Sequence, residues 1–460
     1  MSSEFENVLS IEEIQNYIYG EKYFLYRIRV VELLTKKNQI RFLSAKEQFL
    51  VFNGRYWEST SNSFIASLFS NWLIEEHRNS NKYKLIIEDL KLTNSINIEE
   101  GVFNQYPELL NLNNCIFNVK TNKALIHSSE YYFDYCLDYD YDATVECPIF
   151  KKLLKDYSLN DENWIKLIQE IGGYLLLGEL PFQKMFWLFS KSGRNGKGTI
   201  LRVFHSILGD KLVKGDFDTK YLKENRFYKK DLAEKRLIYS GDMENSIFAL
   251  NTLKSISGGD RQTSDVKFSN SINFQVTGKL IFSMNNLPKI HQDENKEPLR
   301  KRIIFAEFFY EITNPNSKIE VELMKERSGI LNFCLEGLSR LIKNEGFTET
   351  KFGKLILSIF MEDDDVLGVL LNEFIEYDEN AEGIFLHNIQ KFYKNSILKI
   401  SNKKTIDKHN KYLSVREKDI AKRLRQLHPQ LEFTKKTIIN SGNYTFIPQL
   451  KFCKEIEKVF

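Results

Sequence analysis

The feature that most restricts the fold is a succession of three unlike segments between Lys184 and Asp210. Lys184 to Ser190, KMFWLFS, is a short apolar run. Ser192 to Gly198, SGRNGKG, is rich in glycine. Thr199 to Asp210, TILRVFHSILGD, repeats apolar residues at helical spacing and closes near Gly209. Strand, glycine loop and helix in this order are the context that a phosphate-binding loop requires, and an α/β fold is expected. The glycine loop at the start of the helix offers backbone N–H groups to an anion.

The loop departs twice from the phosphate-binding pattern G-x-x-x-x-G-K-[ST]. Lys191 stands where the first glycine is expected, and Gly198 follows Lys197, with Thr199 one residue later. The expected nucleotide contacts are Gly193, Arg194, Asn195, Gly196, Lys197, Gly198 and Thr199. The three glycines supply backbone freedom, Lys197 supplies charge, and Thr199 is the nearest hydroxyl for a magnesium ion, directly or through water.

Such a site needs a carboxylate at the end of a second strand. Arg236 to Asn245, RLIYSGDMEN, offers Asp242 on the magnesium side and Glu244 to polarise the attacking water. Two surface turn acids are the plain alternative. In Lys279 to Pro288, KLIFSMNNLP, a strand ends in Asn285-Asn286 before Pro288; Asn285 is suited to orient water against a γ-phosphate, although Asn before Pro also marks ordinary turns. Glu297 to Phe308, EPLRKRIIFAEF, places Arg300, Lys301 and Arg302 before an apolar strand. An arginine offered across a subunit interface raises phosphoryl-transfer rates by about 10³ to 10⁵.

Composition sets wider limits. The 460 residues are 42% hydrophobic and 28% charged with a formal net charge of +3, which describes a globular chain without a dominant basic field. Cys115, Cys136, Cys147, Cys334 and Cys453 are scattered, with neither a C-x-x-C pair nor metal-ligand spacing, as in a reduced intracellular protein. The N-terminus lacks the pattern of a signal peptide, and IGGYLLLGEL is too short to span a bilayer. A cytoplasmic protein with no membrane partner is expected.

Along the chain, Phe49 to Glu58 reads as a hairpin turning at Asn53-Gly54. A strand meander follows from Asn104, and then the acids of DYDYD, Asp138 to Asp142; alternating acids can hold a metal on one strand face, but with no nearby His or third acidic cluster they read as a solvated edge. After residue 355 come amphipathic helices, a basic helix from Ser414 carrying Lys422, Arg423 and Arg425, and two strands around Ser441-Gly442-Asn443. Helices followed by a hairpin suggest a winged helix, whose basic helix would enter a major groove. The expected domains are an α/β accessory region at 1–100, a strand-rich and helical segment at 101–175, the nucleotide domain at 176–345 and a basic winged-helix-like domain at 355–460.

From Phe49 to Arg302 these elements resemble a superfamily 3 helicase, an AAA+ type ATPase, and more closely the helicase half of the phage and plasmid primase-helicase family. PELLNLNNCIFNVKTNK and YDYDATVECPIFKKLL are similar to the segments preceding that ATPase. The resemblance implies ATP and Mg²⁺ as cofactors, with Lys197, Thr199, Asp242, Glu244 and Asn285 in the roles given above. Arg302 fits the arginine-finger strand best and Arg300 remains open. LKSISGGDRQTSDVKFSNSINFQ matches the family's intervening segment and contributes Lys254, Gly258, Gly259, Asp260 and Lys267. A hairpin between Lys267 and Asn285 would hold DNA in a central channel, with Lys267 and Lys279 as basic candidates. The implied assembly is a homo-oligomeric ring, a hexamer, on single-stranded DNA and duplex origin DNA. Roughly a hundred residues precede the recognisable leader and carry no polymerising motif; whether a separate primase acts with the chain is left open by the sequence. Two competitors stand beside this reading: a nucleoside monophosphate kinase, which shares GKGT, and a non-enzymatic origin-binding factor.

Overall fold

The computed structural model of the chain describes residues 10–20, 23–37, 39–225, 227–241, 250–266, 269–288, 297–401, 410–438 and 442–453. The chain divides into two compact units, Met1–Tyr141 and Asp142–Phe460.

In the first unit, α1 (Ile11–Tyr19) and α2 (Tyr26–Lys37) lead into β1 (Ile40–Leu43), β2 (Gln48–Phe52) and β3 (Trp57–Thr60). After α3 (Asn62–Ser70) and α4 (Ser80–Lys91), β4 (Asn97–Ile98) completes a sheet ordered β3-β2-β1-β4. The hydroxyl of Ser10 accepts from the Glu13 amide while Glu13 accepts from the Ser10 amide, which closes a capping box at the start of α1. The expected hairpin is β2–β3, with Phe52 opposite Trp57. Its turn spans Asn53 to Tyr56: Asn53 Oδ1 accepts from the amides of Arg55 and Tyr56, and Gly54 takes φ +96°. The expected meander is β5 (Leu109–Asn111), β6 (Ile116–Asn118) and β7 (Lys123–Leu125). Asp138, Asp140 and Asp142 are exposed, and among the described residues no group of three or more His, Cys, Asp or Glu is placed to hold a metal ion.

The second unit opens with α5 (Pro148–Tyr157) and α6 (Glu162–Leu175), followed by β8 (Met185–Phe189), α7 (Lys197–Leu208), β9 (Val213–Lys214), α8 (Tyr221–Glu224) and β10 (Leu237–Ser240). Then come α9 (Leu250–Gly258), a hairpin of β11 (Arg261–Val266) and β12 (Ser269–Gln275), β13 (Lys279–Met284), α10 (Glu297–Arg300) and β14 (Ile303–Glu307). Five of these strands form a parallel sheet ordered β14-β8-β13-β10-β9. Helices α11 (Ile319–Lys325) and α12 (Arg327–Asn344) follow.

Every residue of β8 is buried, and successive side chains serve opposite faces of the sheet. Phe186 packs against Tyr174 and Phe347, with ring centroids 6.1 and 5.1 Å away, while Trp187 packs against Phe305 and Phe360 at 5.4 and 5.0 Å. Helices α6 and α12 meet backbone to backbone. A Cβ on Gly173 would lie 2.4 Å from the Cys334 carbonyl oxygen, and one on Gly337 would lie 2.2 Å from that of Gln169.

The chain then forms α13 (Lys351–Met361), α14 (Val366–Phe374), β15 (Ile375–Tyr377), β16 (Ile384–Phe385), α15 (Leu386–Ile400), α16 (Asn410–Leu413) and α17 (Glu417–Leu427). It ends in β17 (Thr434–Ile438), β18 (Gly442–Ile447) and β19 (Leu450–Phe452). A small sheet has the order β16-β18-β17, and β15 pairs with β19. The apolar core does not break near residue 350. It runs from the parallel sheet through α13 and α14 to Ile420, Leu424 and Ile447, because Phe360 and its neighbours on α13 cover the Trp187 face of the sheet. Among the described residues no helix is long and apolar enough to cross a membrane.

Candidate functional site

The site grows from strand register. Met284 at the end of β13 and Glu307 at the end of β14 both lie opposite Phe189 at the end of β8. The three parallel strands therefore finish at one level, and the chain leaving each converges there. Carboxyl ends of parallel strands are where open α/β sheets bind ligands.

The segment from Ser190 to Gly196 is held from inside. The Ser190 amide donates to the Met284 carbonyl at 3.2 Å. Asn195 is 3% exposed, and its Nδ2 donates to the Ser192 carbonyl at 2.6 Å and to the Ser190 hydroxyl. Arg194 and Gly196 both have positive φ, +56° and +89°. Gly196 is the loop glycine whose conformation demands the residue type. A Cβ there would also lie 2.1 Å from the ring of Tyr157. Gly193 and Gly198 do not adopt positive φ, which corrects the expectation that all three glycines serve backbone freedom; Gly198 already lies inside α7.

Lys197 begins α7, where the first amides have no intrahelical partner. Its Nζ donates to Asn195 Oδ1 at 3.0 Å and to Asn285 Oδ1 at 2.9 Å. Asn285 is the first residue beyond β13, so the sheet brings together two candidates far apart in sequence. Thr199 is turned elsewhere. It lies two residues past Lys197, about 200° round the helix by the usual helical rotation. It is buried and shares a hydrogen bond with the Tyr157 phenol. Burial raises the pKa of that phenol more than this bond lowers it. A direct magnesium bond from Thr199 does not fit this placement. Beside Thr199 opens a cleft of about 630 Å³, lined by Tyr157, Arg202, Tyr310, Asn314 and Asn316 among others.

Asp242, Glu244 and Lys267 lie outside the described residues. β10 ends two positions earlier, with Ser240 opposite Phe282 of β13. The hairpin expected between Lys267 and Asn285 lies earlier in the chain: β11 and β12 form it and flank residues 267–268, while β13 leaves for the parallel sheet. In the segment before it, Gly259 takes φ +78° and its carbonyl accepts from Gln275 Nε2 at 2.8 Å, while Asp260 is exposed and Lys254 and Gly258 are half-buried.

Lys279 differs from its expected place on a DNA channel. It is 1% exposed, and its Nζ donates to the Leu177 carbonyl. Burial, then the nearby Arg236, hold its pKa well below the ordinary lysine value. The reason is topological: Lys279 starts β13, at the amino end of the sheet, under the C-terminus of α6. Arg300 and Arg302 also belong to the amino end, just before β14. Arg300 forks onto Asp363, with Nη1 at 3.1 Å, and its Nε contacts Glu297 at 3.3 Å. Arg302 donates to Gln183 Oε1 and to the Pro298 carbonyl, both at 3.1 Å. Five strand residues separate Arg302 from the level of Phe189, roughly 17 Å. Neither arginine reaches the loop of its own chain.

On α17, Lys418, Lys422 and Arg425 are exposed at i, i+4 and i+7, a single stripe. Arg423 is half-buried and bonded to Asp365, and Arg425 lies 4.2 Å from the Phe433 ring centroid. Lys418 already belongs to the basic run of the sequence, and helical spacing sets it on this stripe. Tyr157 and the stapling role of Asn195 carry no sequence signal, because each depends on a contact across the fold.

Residues 23–158 match the family described as D5 N terminal like, and residues 188–302 match DUF5906, a family of unknown function. Both families occur in proteins of the phage and plasmid primase-helicase group, and each match covers well under half of the chain. The comparison with curated proteins finds no match. Among solved structures, an A-form apo structure of the NrS-1 C-terminal region is 13% identical, with 91% of this chain and 98% of that chain covered and a TM-score of 0.44. An apo structure of the same region is 12% identical, with 92% and 99% covered and a TM-score of 0.43. Superpositions this loose carry no argument about fold or activity.

Proposed function

We propose that the chain is an ATP-dependent DNA helicase of the ring-forming superfamily 3 kind, serving replication of a mobile element or virus. The observation that carries this reading is Lys197 at the start of α7, held against Asn285 at the end of the adjacent strand β13. A cation at a helix N-terminus beside a polar side chain suits a γ-phosphate and the water that attacks it. ATP would lay its phosphates along Gly193 to Gly198, and its base and sugar in the cleft beside Thr199. Magnesium would arrive with the triphosphate, which commonly supplies much of its coordination, and would meet Asp242. Glu244 would polarise water.

Arg302 is the better finger, because Arg300 is committed to Asp363. At its distance from the loop it would act on a neighbour's nucleotide, which supports a ring, proposed as a hexamer. Lys267 would grip single-stranded DNA; Lys279, being buried, has no part in this. Helix α17 with β16, β17 and β18 would serve as a winged helix, and Lys418, Lys422 and Arg425 would meet duplex origin DNA. A separate primase would supply primers.

The test is ATP turnover and unwinding of tailed duplexes by the full chain, beside Lys197→Ala. Single-stranded DNA should stimulate turnover, and Lys197→Ala should lower it by about 10² or more. Stimulation by a nucleoside monophosphate instead would identify a kinase. Absence of any turnover that Lys197→Ala removes would leave an origin-binding factor.

A further inference from the structure

Lys191 is where the loop departs from the phosphate-binding pattern, and its side chain has a definite partner. Its Nζ donates to the Leu398 carbonyl at 2.9 Å. Leu398 lies in the last turn of α15. Carbonyls of a last turn have no intrahelical donor, and a cation there also meets the negative end of the helix dipole. The next residue makes a second link. Lys399 Nζ lies 4.8 Å from the Phe309 ring centroid. Phe309 belongs to the chain leaving β14, where the Phe308 amide donates to the Phe189 carbonyl at 2.8 Å and the Ile312 amide to the Arg194 carbonyl at 3.0 Å. The end of α15 thus touches the loop directly at Lys191 and indirectly through residues 309–312.

The body of α15 lies in the C-terminal part, packed against α17 and β18. A displacement of α15 imposed by anything bound on α17 therefore arrives at Lys191. A glycine at position 191 would make no such contact.

We propose that Lys191 is a positioning residue that couples duplex DNA on the α17 stripe to nucleotide turnover at the loop; this rests on the function proposed above. Coupling of this kind is reciprocal for binding, so nucleotide would change duplex affinity by the factor with which duplex changes nucleotide affinity. Lys191 acts through the loop's placement and touches no reacting atom.

The experiment uses the full chain as wild type, Lys191→Ala and Lys191→Arg, with a short duplex at low salt. ATP turnover and hydrogen exchange at residues 190–199 are read with and without the duplex. The expected result is a duplex response of about fivefold or more in wild-type turnover. Lys191→Ala should keep its basal turnover and lose that response. Lys191→Arg, which can donate to the same carbonyl, should recover much of it. An equal response in wild type and Lys191→Ala, or none in wild-type turnover that is otherwise active, overturns the coupling and leaves the helicase reading standing. If wild type hydrolyses no ATP, the proposed function fails and the coupling to turnover is overturned with it. In active wild type, a duplex-induced exchange change at 190–199 that disappears in Lys191→Ala supports the coupling, and one that persists in Lys191→Ala overturns it.

Discussion

Lys191, Lys197 and Lys279 have the same side chain and three different surroundings. Lys197 meets two amide oxygens at the start of a helix, Lys191 caps the end of another, and Lys279 is sealed beneath a third, 4.9 Å from the Tyr174 ring centroid. The sign and reach of a side chain are written in its identity. Which end of a strand it sits on is not, and that separates a phosphate ligand from a buried prop. Glu307 makes the same point for acids. It ends β14 fully buried, accepting a hydrogen bond from the Thr350 hydroxyl, and burial raises its pKa from 4.5 to about 8. Its folded form holds a proton that the unfolded chain releases above pH 4.5. Its contribution to stability is therefore complete below that pH and declines as pH rises toward 8, by at most on the order of 5 kcal/mol. Chemical denaturation across pH 4.5 to 8 should show this decline in wild type and a flatter profile in Glu307→Gln. Identical slopes would mean that Glu307 is not the group responsible.

At the scale of elements, β8, β10, β13 and β14 were legible as short apolar runs, and α7 by its spacing. The hairpin β2–β3 was legible from Asn53-Gly54. Their adjacency was not: β8 lies between β13 and β14, the last strands of the sheet to be made. Only that order sets Asn285 beside Lys197. The α6–α12 pair shows how the scaffold is fixed. Glu170 is fully buried, yet it is bonded to Arg340 Nε at 2.7 Å, to the Thr348 amide at 2.6 Å and to the Thr348 hydroxyl at 2.8 Å. Removing one partner of a buried pair leaves the other uncompensated. Glu170→Ala should therefore lower stability by about 3 to 5 kcal/mol, somewhat less because Arg340 is partly solvated. Equilibrium denaturation measures this directly, and a loss below about 1 kcal/mol would place the pair among ordinary surface bridges.

For the whole molecule, the decisive fact is the continuous core of the second unit. The expected boundary near residue 350 follows a change in sequence character, but α13 lies on the Trp187 face of the sheet. A chain ending at Thr350 would expose Trp187, Phe282 and Phe305, a patch of the kind that drives aggregation. Such a chain should be insoluble or lack cooperative thermal unfolding, as judged by sedimentation and calorimetry. A soluble truncated chain melting like the full chain would restore the boundary. The same continuity supplies the path from α17 to the loop, so the C-terminal part and the sheet respond together.

The sequence by itself determined the local states. Apolar runs fix strands, spacing fixes helices, and Gly196, set between Asn195 and Lys197, marks a turn into a helix start, because these follow from near neighbours along the chain. The tertiary structure decided which of the marked residues meet. It joined Lys197 to Asn285, turned Thr199 toward Tyr157, buried Lys279 and sent Lys191 to the end of α15. Those outcomes depend on strand order and helix crossings, which are set by the packing of distant surfaces and leave no mark in any single stretch of sequence.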